Sequence, residues 1–127
     1  MTTQRLLRAV ALAGLLLAGA AAVTAQESAV QRGNAKFQHS CAPCHGAGVG
    51  DDGHAMLPGT DALRIKYRGA LTPLLEHRTD LTAPVLKVFL RNGSFSMPPF
   101  RQTEVTDAEI ADIAAYLAQS SKAAAAR

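Results

Sequence analysis

Cys41-Ala42-Pro43-Cys44-His45 concentrates the chemistry of this chain: its only two cysteines in 127 residues, with a histidine directly after the second. Two thiols at C-x-x-C spacing followed by His match the attachment signature of a c-type haem. The spacing suits that chemistry, because two thiols add across the two vinyl groups on one porphyrin edge while the next imidazole reaches the iron. Other uses of the pattern remain open. A disulfide suits an oxidising compartment but gives His45 no task. A thioredoxin-type redox pair asks for a preceding strand, and no alternating segment is visible. A zinc site needs further ligands at metal spacing, which His39, His54 and His77 do not provide.

A haem iron held by His45 needs a sixth ligand. Met56 and Met97 are the thioethers beyond the amino-terminal residues. Met97 lies in Ser96-Met97-Pro98-Pro99, a stretch whose prolines prevent a continuous helix. Such a stiff loop can hold a side chain against an open haem face. Met56 sits in a Gly-rich stretch close after His45, where packing or surface roles suit it better. Met97 is therefore the expected ligand, with Met56 and then a histidine behind it. His/Met ligation raises the reduction potential, which suits an electron carrier.

These residues need helices to position them. Ser28 can cap a first helix running to about His39, with Val30, Gly33 and Phe37 on one face. A loop follows from Cys41 to Gly59, then a short helix over Asp61–Tyr67. Thr82 and Pro84 open a further helix that Asn92-Gly93 ends, with Val85, Val88 and Phe89 as its apolar stripe. Thr106-Asp107-Ala108-Glu109 is a capping box, followed by Ile110, Ile113, Ala114 and Leu117 at helical spacing. Residues 120–127 read as a frayed Ala-rich tail. The fold class is all-α, in one domain.

With no Trp, four Phe and two Tyr, the core is thin, and a bound group would supply part of the interior. Residues 1–25 form a leader: Arg5 and Arg8, then an uninterrupted Ala/Leu/Val/Gly run over 9–23, then small residues before a cut at Ala25-Gln26. At 1.5 Å per residue that run covers about 22 Å, short of the roughly 30 Å hydrocarbon core. A cleaved export signal is expected, and with it a periplasmic mature domain over 26–127 with no permanent membrane anchor. Setting the leader aside leaves eleven basic against ten acidic residues, so the net charge falls from +3 to +1. No clustered basic surplus marks a nucleic-acid partner.

Gly33-x-x-x-Phe37-x-x-x-Cys41-x-x-Cys44-His45, Asn92-Gly93-x-x-x-Met97-Pro98 and Ala115-Tyr116-Leu117 together resemble the small class I cytochromes c. The resemblance spans nearly all of residues 28–118. It implies crossing first and last helices that meet at Gly33 beside Phe37 and Tyr116, one covalent haem c, and iron held by His45 and Met97. It also implies that His45 donates its other ring N–H to a proline carbonyl. Pro58 is the match, although Leu57-Pro58-Gly59-Thr60 departs from the usual Gly-Pro order. A narrower resemblance, from Leu81 through Arg91-Asn92-Gly93 to Met97-Pro98-Pro99-Phe100, is to cytochrome subunits of flavocytochromes such as p-cresol methylhydroxylase. Residues 67–78 do not map onto that group.

The expected function is single-electron transfer between a dehydrogenase, with a flavoprotein subunit as one candidate, and a downstream acceptor. The protein is then no enzyme by itself. Phe100 either anchors that partner or covers the haem. The basic residues Arg64, Lys66, Arg68, Arg78, Lys87, Arg91 and Arg101 fall in the middle of the chain, and each taken singly reads as solvated surface. The alternative is a haem peroxidase or a gas or redox sensor in which Met97 leaves the iron. That alternative needs a distal acid–base group such as His54 or His77. A third option is a non-haem protein built on a Cys41–Cys44 disulfide.

Overall fold

The computed structural model describes residues 28–51 and 53–127. The expected leader over 1–25 and its cut at Ala25-Gln26 lie outside them. Helix α1 covers residues 28–40. It is followed by α2 (Ala42–His45), α3 (Pro58–Tyr67), a short 3-10 turn (Leu75–His77), α4 (Ala83–Asn92) and α5 (Asp107–Ala125). Among the described residues there is no strand, and an isolated bridge joins Ser94 to Met97. The all-α class is therefore observed.

The core is built where α1, α4 and α5 converge. Phe37 of α1, Leu86 and Leu90 of α4, and Ile110, Ile113 and Leu117 of α5 are buried together with Leu81 and Val105. The helices α1 and α5 meet without side chains between them at Gly33. A Cβ there would lie 2.0 Å from the Asp112 carbonyl oxygen and 2.9 Å from the Ile113 nitrogen. Close approach lets Arg32 donate to the Asp112 carboxylate through Nε (2.7 Å) and Nη2 (2.9 Å). Phe37 and Tyr116 pack beside the crossing with ring centroids 5.4 Å apart.

The start of α5 is fixed by the expected capping box. Glu109 N–H donates to Thr106 Oγ1 at 3.2 Å, and Thr106 N–H donates to Glu109 Oε2 at 2.7 Å. Lys36 of α1 adds an ion pair to Glu109 Oε1 at 3.0 Å and donates to the Glu104 carbonyl at 2.7 Å. The Thr106 N–H first, then Lys36, pull the Glu109 carboxyl down to about 2.

Four expectations change. Ser28 is already helical, and its hydroxyl accepts from Arg32 one turn on (3.3 Å). Helix α3 begins at Pro58 rather than Asp61, because proline lacks only a donor that the first turn leaves unused. The buried pair of α4 is Leu86 and Leu90, four apart, while Val88 (59%) and Phe89 (36%) are exposed. The stripe is rotated because α4 packs on α5 through those leucines. The carboxyl-terminal tail is not frayed from 120: α5 continues to Ala125 with Ser121 buried, as the high helix propensity of alanine favours.

The segment 67–78 is a strap held to the helices. The Tyr116 hydroxyl donates to Glu76, and Arg78, 6% exposed, lies 4.8 Å over the Tyr67 ring while its Nε donates to Asp80 at 2.9 Å.

Gly33→Ala should cost about 3 kcal/mol, the upper part of the usual overpacking range, seen as a lower denaturation midpoint. The depressed Glu109 carboxyl stabilises the fold above its unfolded value near 4.5, and that contribution is lost as pH falls toward about 2. Glu109→Gln should therefore be less stable than wild type at pH 7 and match it near pH 2, as urea titrations at the two pH values would measure.

Candidate functional site

Cys41 continues α1 directly, its N–H donating to the Phe37 carbonyl at 2.8 Å, and its own carbonyl accepts from His45 N–H at 2.9 Å. The attachment motif is thus one turn of helix stacked on the end of α1 and tied to a core phenylalanine. Cys41 is half-buried, Cys44 is exposed, and both thiols are free. Burial pushes the Cys41 thiol up to about 11. A thiol–disulfide exchange pair instead activates its cysteine by depressing that value. Among the described residues, no group of three or more His, Cys, Asp or Glu side chains could hold a metal ion.

His45 is turned inward. Its Nδ1 is buried without a hydrogen-bond partner, so Nε2 is the nitrogen that would ligate a metal. Burial lowers its pKa, which favours the neutral imidazole that metals bind. Pro58 begins α3, but the implied hydrogen bond from His45 to its carbonyl is not formed here. Gly59, the next residue, lies against the His45 ring instead.

Met97 sits on a tight turn. Ser94 N–H donates to the Met97 carbonyl (3.0 Å) and Met97 N–H to the Ser94 carbonyl (2.9 Å). Gly93 enters the turn at φ 70°, and a Cβ there would lie 2.7 Å from the Met97 carbonyl oxygen, so glycine is needed for both conformation and space. On the far side, Phe100 N–H donates to the Leu90 carbonyl at 2.6 Å. Arg91 then closes the loop. It donates to the Phe100 carbonyl (3.1 Å), the Val105 carbonyl (2.8 Å) and the Asp107 carboxylate (2.8 Å). Met97 packs on the core cluster alongside Cys41 and Ala42. Met56 is half-buried in the loop before α3 and stands outside that cluster.

Phe100 also packs on the core. The exposed aromatic of the loop is Phe95, 99% accessible and at φ 52°. Sequence reasoning missed it, as it missed Arg91: a left-handed backbone and a three-way clamp leave no periodic signal. His54 and His77 are both exposed.

These residues fit a haem. Two free thiols lie one turn apart, the next residue is an imidazole with its rear nitrogen buried, and a soft thioether rests on the same core. The family model "Cytochrome C oxidase, cbb3-type, subunit III" matches residues 28–117, and the chain belongs to this family. It is a class I monohaem c-type cytochrome, binding one haem c covalently. No curated protein and no solved structure matches the chain. No helix among the described residues is long and apolar enough to cross a membrane.

Cys41 and Cys44 would hold the porphyrin, and His45 and Met97 would ligate the iron. Met97→Ala should keep the haem attached, abolish the far-red thioether–Fe(III) band and lower the reduction potential, whereas Met56→Ala should change neither. Arg91→Ala should cost about 2–3 kcal/mol, as hydrogen bonds from a charged group are lost; denaturant titration of the holoprotein would measure it.

Proposed function

We propose that the mature chain is an exported, periplasmic electron carrier that passes single electrons from a dehydrogenase to a downstream acceptor. The bound haem supplies the one-electron Fe(III)/Fe(II) couple. The protein's residues do the rest: Cys41 and Cys44 prevent loss of the group, His45 and Met97 tune its potential, and the core keeps water from one side. A basic start and a 15-residue apolar run before Ala25-Gln26 support export.

The observation that carries the transfer role is the Met97 turn. Residues 93–100 bear no charge, the turn is pinned at both ends, and it displays Phe95 in a left-handed conformation that costs a bulky residue on the order of 1–2 kcal/mol. Among the described residues nothing recovers that cost, because Phe95 is almost fully exposed. A partner with an apolar socket recovers it, and a turn already rigid loses little entropy on docking. Phe95 therefore takes the anchoring role, which was one of the two alternatives for Phe100, a residue that packs on the core. The resemblance to flavocytochrome subunits makes a flavoprotein the leading donor, and the family's oxidase-subunit description makes a terminal oxidase the leading acceptor.

Phe95→Ser should weaken the partner complex about tenfold, roughly 1.4 kcal/mol, while spectrum and potential stay unchanged. Stopped-flow reduction by the native donor would measure this. Gel filtration from the native host separates a diffusing carrier, which elutes alone, from a stable subunit, which elutes with its flavoprotein or oxidase.

A further inference from the structure

Glycine inside a helix costs about 1 kcal/mol against alanine, so a helical glycine without positive φ is placed there for space. Gly33 and Gly59 both answer to this, since neither has a positive φ. The space at Gly33 is filled by α5. The space at Gly59 is filled by the candidate iron ligand: a Cβ would lie 2.7 Å from His45 Cε1, 2.8 Å from His45 Nδ1 and 2.8 Å from the Cys44 carbonyl oxygen.

A ligating imidazole is ordinarily oriented by a hydrogen bond from its second nitrogen. His45 lacks one, its Nδ1 being buried and unpartnered. Rotation about Cβ–Cγ is therefore limited by what packs on the ring, and the first turn of α3 packs on the Cε1–Nδ1 edge. That turn is itself held in place. Pro58 presets its backbone at the first helical position. Thr60, 2% exposed, donates from Oγ1 to the Gly46 carbonyl at 3.0 Å, tying α3 to the residue that follows His45.

We propose that Gly59 is a positioning residue for the axial histidine: the α3 backbone at Gly59 bears on the Cε1–Nδ1 edge of His45 and sets the plane of its ring. The inference rests on His45 being an iron ligand. The device is steric, with Pro58 and Thr60 holding the backbone that does the work.

The haem-loaded protein tests it in two ways. In the reduced, diamagnetic wild type, the Gly59 α-protons should show cross-relaxation to His45 Hε1; their absence overturns the proposal without any variant. In the oxidised state, Gly59→Ala should keep a low-spin spectrum yet reorder the hyperfine-shifted haem-methyl resonances, which report the plane of the axial imidazole, and shift the reduction potential. Ile110→Val, in the buried core of α5, is the structural control, expected to lower the unfolding midpoint with the methyl pattern unchanged. An unchanged pattern in Gly59→Ala, or an equal change in Ile110→Val, overturns the role of Gly59. If Gly59→Ala does not load haem, the wild-type cross-relaxation decides. Failure of the underlying assignment is separate: a low-spin spectrum that survives His45→Ala removes His45 as a ligand, whatever Gly59 does.

Discussion

Backbone-to-backbone contact between α1 and α5 is the constraint on which the other parts depend. At Gly33 the two helices meet with the Asp112 carbonyl where a side chain would stand. Only that approach lets Arg32 reach Asp112, Lys36 reach Glu109, and Phe37 reach both Tyr116 and the core. Helix α1 alone could bury little. Crossed on α5, it fixes Phe37, and the Phe37 carbonyl takes the Cys41 N–H, so the attachment motif inherits its position from the crossing.

The Met97 turn is held with the same economy. Helix α4 buries Leu86 and Leu90 against the core and then stops at Gly93, whose positive φ turns the chain into the Ser94–Met97 pair. Arg91, on the last turn of α4, reaches the Phe100 and Val105 carbonyls and the Asp107 carboxylate. One guanidinium thus joins the exit of the Met97 loop to the start of α5. Met97 and Cys41 then rest on one core cluster, so the two ends of the proposed site are referred to a common frame rather than to separate loops.

Charge is largely spent internally. Arg78 pairs with Asp80, Arg64 with Asp61, Lys87 and Arg91 with Asp107, and Arg101 with Glu104. Exposed pairs of this kind contribute little to stability individually; the Met97 turn is an uncharged projection because residues 93–100 carry no ionisable side chain. Recognition at that turn would rest on shape and apolar area more than on electrostatic steering. The strap over 67–78, which the resemblance could not map, is held by Tyr116–Glu76 and by Arg78 over the Tyr67 ring.

What the sequence determined by itself is whatever is encoded at short range. The attachment motif, the capping box at Thr106–Glu109, the Gly93 stop and the stiffness around Met97 each need only a few adjacent residues, and their chemistry is complete in the motif. The close approach at Gly33 was legible too, through its spacing from Phe37 and Cys41 in the family pattern. Tertiary structure decided the rest, because those outcomes depend on partners distant in sequence. Which stripe of α4 is buried follows from where α5 lies, and both stripes are apolar, so composition could not choose Leu86 and Leu90 over Val88 and Phe89. Ser121 is buried only because α5 continues past 120. Phe95 and Phe100 are the same residue type in one loop, and only the packed core separates the one it takes in from the one it leaves in solvent. Gly59 against His45 joins residues fourteen apart, a proximity set by how α3 docks on α2, and no periodicity announces it.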